Sequence, residues 1–300
     1  MTDRTVSRPV RLRRSLLSVP AINPRALEKA RSLAADGVIF DLEDSVAPEK
    51  KQEARENLVR FFDEGRLEGR ENIIRINALS SEFGALDMET VIRLAPDAVL
   101  IPKVDEPEDV ATVADLLDEA GVTPSVEVWA MMETPRGVLN AAAIARSGRT
   151  DGARLGAFVV GLNDLRKDTG IPMEPGRTYL VPWLMQVVLA ARAYGVEVID
   201  SVCNDFRDLE VFAAECRQGR SMGYDGKMLI HPAQIEAANR FFAPDPAEAA
   251  EAEAIIAAFA DPAAAGLNVL NVNGRMIERL HVAEAERLAT RARLAAQREN

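Results

Sequence analysis

Cysteine is nearly absent. Cys203 and Cys216 are the only two in 300 residues. They are too few for a disulfide framework and lack the spacing of a metal site, so two reduced thiols are expected. Histidine is as scarce, with two residues, and no His/Cys cluster exists to hold zinc. Aromatic residues make up 5% of the chain, so a core has to be assembled from Ala, Val, Leu and Ile. No run of about 18 apolar residues occurs, and no membrane-spanning helix is expected. The opening stretch "MTDRTVSRPVRLRRS" is basic but lacks the apolar segment of a signal peptide, so a cytoplasmic location is expected. Positive charge is the other deficit. Lys and Arg number 36 against 47 Asp and Glu, for a net charge of -11 and a pI of about 4.9. Such a chain disfavours nucleic acid as a partner. An anionic small ligand would need a local basic pocket.

What the chain does have is rhythm. Hydrophobic residues form 48% of its positions, and its length suits one large α/β barrel or two ordinary domains. "RSLLSVP" (14–20), "VIFDLE" (38–43), "NIIRIN" (72–77), "AVLIPKV" (98–104), "SVEVWAMME" (125–133), "AFVVGLN" (157–163), "VEVIDSV" (196–202) and "GKMLIHP" (226–232) read as strands. Helical stretches fall between them. One covers 23–35, with Asn23 as N-cap and Pro24 at the first helical position; the next covers 48–62. Strands alternating with helices imply right-handed βαβ units and a parallel sheet. About eight such units close a (β/α)8 TIM barrel, with a doubly wound open sheet as the alternative. Residues 1–242 are assigned to the barrel. From 243 to 300 the rhythm stops. "APDPAEAAEAEAIIAAFADP" is a Pro-bounded helix, "LNVLNVNGRMIERL" a hairpin turning at Asn273-Gly274, and a charged helix from about Val282 closes the chain. This C-terminal helical and hairpin extension is expected to be a lid or arm on the barrel or on a neighbouring subunit.

Active sites of (β/α)8 barrels gather at the C-terminal ends of the strands, and here every strand end carries a polar group. Strand one leads to Ser18 and then Arg25 and Lys29, strand two to Asp41 and Glu43, strand three to Arg75 and strand four to Lys103. Strand five ends in Glu133, six leads to Asp164, seven to Asp200 and Asn204, and eight to His231. A carboxylate buried without a partner costs several kcal/mol, so a ring of this kind predicts one shared polar cavity. Glu133 and Asp164 fit as ligands of a hard divalent cation, since Mg²⁺ takes one or two carboxylates and completes its octahedron with water and substrate oxygens. The plain alternatives are a solvated strand end and a helix cap. Arg75 in an apolar strand needs an anion: Asp41 or Glu43, or a substrate carboxylate or enolate. Lys103 either pairs with the acid of strand two or acts electrostatically or as a Schiff base. Arg25 and Lys29, one helical turn apart, form a solvated face or meet a phosphate-bearing ligand. His231 is a structural residue or a ligand contact.

"RSLLSVPAINPRALEKA", "DGVIFDLEDSVAPEKKQEAR", "IIRIN", "LIPKV", "METPRGVLN", "VVGLNDL" and "GYDGKMLIHPAQI" together resemble the citrate lyase β-subunit-like family of the HpcH/HpaI aldolase/citrate lyase superfamily, which includes malyl-CoA and citramalyl-CoA lyases. The resemblance covers nearly the whole chain in the right order, and "DLEDSVAPEKK" and "GKMLIHPAQI" are its most specific pieces. It implies a Mg²⁺-dependent (β/α)8 barrel in a homo-oligomer, a trimer or hexamer, with Glu133 and Asp164 on the metal and Arg75 on the oxo-acid half of the substrate. Ser18, Arg25, Lys29, Asp41, Glu43, Ile230 and His231 match positions that line the substrate and CoA pocket, with Lys103 beside them. The family carries a catalytic Asp in an "MID-Pro" motif of the tail. Here the matching stretch is "GRMIERL", so Glu278 replaces the Asp and Leu280 the usual Pro; the family's "VPG" also becomes "VPA" at Ala21. Glu is one methylene longer, and displacing a catalytic group by about 1 Å can cost on the order of 10²-fold.

The expected activity is cleavage of a 3-hydroxyacyl-CoA thioester such as citramalyl-CoA or malyl-CoA to an acyl-CoA and a 2-oxo acid, or the reverse. Arg75 would stabilise charge, Glu278 would exchange the proton, and Glu43 with Asp41 would orient the cationic groups. Three alternatives stand beside it. They are a Schiff-base aldolase on Lys103 or Lys227, a citrate lyase β subunit working on an acyl-carrier thioester, and a non-catalytic 2-oxo-acid-binding homologue.

Overall fold

In a parallel strand that is covered on both faces, parity decides which side chains point into a barrel and which point out at the helices. The computed structural model describes residues 10–150, 152–173 and 176–299; the basic stretch 1–9 lies outside them. Two compact units divide the chain, Arg13–Phe241 and the segment that follows it.

The first unit is a closed barrel of eight parallel strands in sequential order: β1 (Ser15–Pro20), β2 (Gly37–Asp41), β3 (Glu71–Arg75), β4 (Ala98–Ile101), β5 (Glu127–Met132), β6 (Leu155–Val160), β7 (Glu197–Asp200) and β8 (Gly226–Leu229). Closure by β1 against β8, with Leu16 opposite Met228, excludes the open sheet. Helices α1 (Pro24–Ala30), α2 (Lys51–Asp63), α3 (Gly84–Leu94), α4 (Pro107–Glu119) and α5 (Pro135–Ser147) return the chain between the first strands. Two helices follow β6, α6 (Leu162–Thr169) and α7 (Val181–Ala193); then come α8 (Leu209–Met222) and α9 (Ile235–Phe242). The expected cap is present, with Asn23 Oδ1 accepting from the Ala26 amide at 3.1 Å, although α1 stops at Ala30 rather than 35. Most strands end two or three residues before the apolar runs that announced them, because residues such as Leu42, Ile76 and Val104 are buried loop residues at the rim.

Inward residues stack in layers. Leu16, Ile39, Ile73, Leu100, Trp129 and Ile199 belong to the interior cluster, each such side chain contributing about 1.5–3 kcal/mol on full burial. Below them Arg13 closes the N-terminal end. It donates to Glu71 at 2.8 Å, Glu127 at 2.8 Å and Glu197 at 3.0 Å, and lies 4.6 Å from the centre of the Trp129 ring. Three strands thus converge on one cation. Uncoupling such a buried group leaves unpaired charge and costs about 3–5 kcal/mol.

The second unit pairs α10 (Pro246–Ala260) with α11 (Val282–Glu299) and adds an antiparallel hairpin, β9 (Val269–Val272) and β10 (Arg275–Glu278). Its core is small, with Ile255, Phe259, Val272, Ile277 and Ala289 among its members. Asn273 and Gly274 have φ of 51° and 81°, the left-handed pair that a two-residue I′ turn requires. Among the described residues no helix is long and apolar enough to cross a membrane.

Candidate active site

The C-terminal mouth of the barrel opens into a cavity of about 400 Å³. Parity builds it. Ser18, Asp41, Arg75, Met131, Glu133, Ser201 and Ile230 each continue the inward register of their strand, and all line the cavity with Asp164 from α6. Ser18, Asp41, Arg75, Glu133, Asp164 and Ile230 were expected there. Glu43 and Lys103 stand just behind the lining and touch it.

Arg75 is the centre of charge. Its Nε and Nη2 donate to the two oxygens of Asp41, both at 2.7 Å, and its Nη1 lies 2.9 Å from Glu43 Oε2. Both plain and functional readings of Arg75 are therefore compatible: two of five N–H groups are spent on Asp41, and the side chain still faces the cavity. Burial alone would lower the guanidinium pKa, but Asp41 and Glu43 more than offset it, so Arg75 is charged at any working pH. The two acids respond differently. Burial would raise the Asp41 pKa, yet the bidentate pair brings it below its ordinary value. Glu43 is raised, by burial first and then by the charges of Asp44 and Asp41, against the opposing pull of Arg75 and Lys103; its Oε2 is left without a hydrogen bond. Lys51, at the start of α2, holds the loop that carries Glu43: its Nζ donates to the carbonyls of Leu42 and Glu43 and to Asn77 Oδ1 at 2.7–2.8 Å.

Glu133 is 2% exposed. Its Oε1 accepts from the Lys103 amide at 2.9 Å. Burial, with the charges of Glu43 and Asp164 adding to it, pushes its carboxyl up to about 8. Asp164 sits in the first turn of α6, whose start is fixed by the Leu162 amide donating to Ser201 Oγ at 3.0 Å; the Asp164 side chain makes no capping bond. Lys103 Nζ is 3.5 Å from Glu43 Oε1. Among the described residues no group of three or more His, Cys, Asp or Glu side chains forms a metal cage. The donor set nonetheless suits Mg²⁺. Two carboxylates face one polar cavity, one of them held against ionisation for want of positive charge, and water and substrate oxygens would supply the remaining ligands.

Other expected residues lie elsewhere. Arg25 and Lys29 are exposed on α1 and do not line the cavity. His231 is a helix cap: its Nδ1 accepts from the Ala233 amide at 3.1 Å, and its ring stacks on Phe206 at 4.8 Å between centres. Glu278 is an exposed residue at the end of β10 in the second unit, where its backbone amide donates to His281 Nδ1. Asn204 exchanges hydrogen bonds with Asn163, a lining residue. Asp200 is the correction. It follows inward Ile199, so it points outward, where Arg177 and Lys227 pair with it at 2.7 and 3.0 Å. Lys227 is fully buried in that cluster with Glu215 at 3.1 Å, which removes it as a Schiff-base nucleophile. Lys103, whose neighbouring carboxylates raise its pKa despite burial, is a poor one. Three contributors went unseen in the sequence: Ser201, Met131 and Lys51. Parity signals the first two; nothing local signals Lys51.

The class this defines is a (β/α)8 barrel with an arginine-and-carboxylate cavity at the strand ends. Residues 14–232 match the HpcH/HpaI aldolase/citrate lyase family, and the chain belongs to that family. It is 44% identical over 279 residues to a (3S)-malyl-CoA thioesterase of Cereibacter sphaeroides, covering 93% of this chain and 94% of that one. It is 32% identical over 297 residues to citrate lyase subunit beta of Escherichia coli K12, covering 97% of both. A crystal structure of CitE from Mycobacterium tuberculosis in complex with magnesium, acetoacetate and coenzyme A superposes with a TM-score of 0.69 at 29% identity, covering 93% of this chain and 97% of that one.

Proposed function

We propose that the protein is a Mg²⁺-dependent lyase acting on a 3-hydroxyacyl-CoA thioester of the malyl-CoA or citramalyl-CoA type, releasing an acyl-CoA and a 2-oxo acid or joining them. The observation that carries this is Arg75, fixed by Asp41 and Glu43 at the wall of a cavity that also holds Glu133 and Asp164. The relatives named above support the substrate class.

Glu133 and Asp164 would hold the ion. When bound, Mg²⁺ supplies Lewis acidity toward the hydroxyl and carboxylate oxygens of the substrate. Arg75 binds the carboxylate and oxo end with the N–H groups that Asp41 leaves over, already in place before charge develops. Asp41 keeps that guanidinium from turning. As the bond between C2 and C3 breaks, the C3 hydroxyl loses its proton to water held by Glu43, C3 becomes the carbonyl of the oxo acid, and the bonding pair passes to C2 as a thioester enolate. Glu278, from the same or a neighbouring chain, returns a proton to C2. Lys103 balances the negative charge of the rim.

A second reading has its own support in the 44% relative, a thioesterase by name: water adds to the thioester carbonyl, and free thiol and the intact hydroxy acid leave. One assay separates the two. Malyl-CoA with Mg²⁺ should yield glyoxylate, read as its phenylhydrazone, without a matching release of thiol. Thiol in equal amount to substrate consumed, with no oxo acid, would establish hydrolysis instead. Turnover that persists in EDTA-stripped protein would end the metal role; loss of about 10²-fold or more is expected, several kcal/mol of charge stabilisation being at stake.

A further inference from the structure

We propose that Lys103 is a positioning residue that works through its backbone: a left-handed turn after β4 aims its amide at Glu133 and sets the direction in which that carboxylate meets the cation. The inference rests on the proposed function, because it takes Glu133 as a ligand of Mg²⁺.

Lys103 has a φ of 51°. For a residue with a Cβ this costs roughly 1–2 kcal/mol, and such a conformation persists only where the surroundings hold it. The holding contacts are specific. Thr134 Oγ1 donates to Asp105 Oδ1, Asn140 Nδ2 donates to the Asp105 carbonyl at 2.9 Å, and Arg136 pairs with Glu106 at 2.6 Å. Gly137 completes the set by what it lacks, since a Cβ there would collide with the Val104 carbonyl oxygen. All four partners sit at the N-cap or in the first turns of α5, and that N-cap, Thr134, directly follows Glu133. The loop that offers the amide and the strand that offers the carboxylate are thereby fastened to one rigid element.

The consequence is read at Glu133. Its Oε1 takes the Lys103 amide at 2.9 Å. Its Oε2 turns toward Gly161, where any Cβ would overlap it. The carboxylate is oriented from both sides before a ligand arrives. The Lys103 side chain has separate employment, reaching Glu43, which is why backbone and side chain can be tested apart. Hydrogen-bond partners that orient a metal ligand are typically worth 10–100-fold in metal affinity.

The experiment is Mg²⁺ titration of the full chain by calorimetry, with thermal melting in EDTA as the control for folding. Gly137→Ala pushes the Val104 carbonyl outward and should weaken Mg²⁺ binding about tenfold or more. Asp105→Ala loosens the same loop from outside any helix and should act in the same direction, which keeps the test alive if Gly137→Ala does not fold. Lys103→Gly retains the amide, adopts positive φ without cost and removes a nearby positive charge. It should bind Mg²⁺ at least as tightly as the parent, whatever its turnover. Parental affinity in folded Gly137→Ala and Asp105→Ala, or a loss in Lys103→Gly as large as theirs, overturns the positioning role. A parent chain that binds no Mg²⁺ overturns the cation reading beneath it, a different and distinguishable failure.

Discussion

Replacing Arg75 by Met keeps most of the side-chain volume and removes only the charge and its donors. Asp41 and Glu43, 1% and 6% exposed, are then two buried carboxylates, and among the described residues the remaining ion pair to either is Lys103 to Glu43 at 3.5 Å. Breaking a buried pair from one side costs about 3–5 kcal/mol. The cost must depend on pH, and the direction follows from Asp41. In the parent its pKa is depressed below 3.8, so it adds stability that is complete above its unfolded pKa and fades as pH falls through the folded one. In Arg75→Met burial, the largest influence, is opposed chiefly by the Glu43 and Ser45 amides that donate to Asp41, and the folded pKa moves above 3.8, so stability is lost as pH rises through it. The penalty of the substitution should therefore be larger at pH 8 than at pH 5. Urea unfolding read by tryptophan fluorescence measures it well, because Trp129 and Trp183 both lie within Arg13–Phe241. Adding Asp41→Asn to the Arg75→Met variant should recover part of the loss. A penalty equal at both pH values, with no recovery in the double variant, would refute the account of Arg75 as counter-charge to a buried Asp41.

Glu278→Ala should lower turnover by about 10²–10⁴-fold and leave the melting temperature unchanged, since the side chain is exposed; full activity in that variant removes Glu278 from the mechanism. Cys216 is pushed up to about 12 by burial, which leaves on the order of 10⁻⁴ of it as thiolate at pH 8. Native protein should show no iodoacetamide adduct at that residue by mass spectrometry where urea-unfolded protein is alkylated, and rapid labelling of Cys216 in the native state would contradict its placement on the buried face of α8.

The barrel was legible because its strands are short β-branched runs punctuated by helices, a pattern that needs no long-range information. The overshoot at the strand ends has a physical cause: buried rim residues such as Leu42 and Val104 are as apolar as strand residues, while the hydrogen-bond ladder has already ended. The plug at the opposite end was not legible. Arg13 reads as one more basic residue in "RLRRS", and its partners Glu71 and Glu197 lie 58 and 184 positions away. Lys51 is hidden for a different reason: its ammonium folds back on the carbonyls of Leu42 and Glu43 in the loop just before it, and backbone acceptors leave no mark in a sequence.

The candidate site divides along the same line. A charge at a strand end was visible, and so, with one more step, was its side. Counting by two from Ile39 reaches Asp41, and from Ile73 reaches Arg75; both line the cavity. The same count from Ile199 reaches Ser201, not Asp200, and it is Ser201 that lines the cavity while Asp200 is held outside by Arg177 and Lys227. Charge drew attention to the wrong member of that pair. A strand-end polar residue therefore carries information about a barrel site only together with its parity, and a serine of the right parity outweighs an aspartate of the wrong one. What parity cannot supply is the angle at which a carboxylate arrives. For Glu133 that angle depends on an amide from β4's loop and two glycines without side chains, 24 residues apart in "TPRG" and "VVGL", and it became visible only once the loop was seen docked on α5.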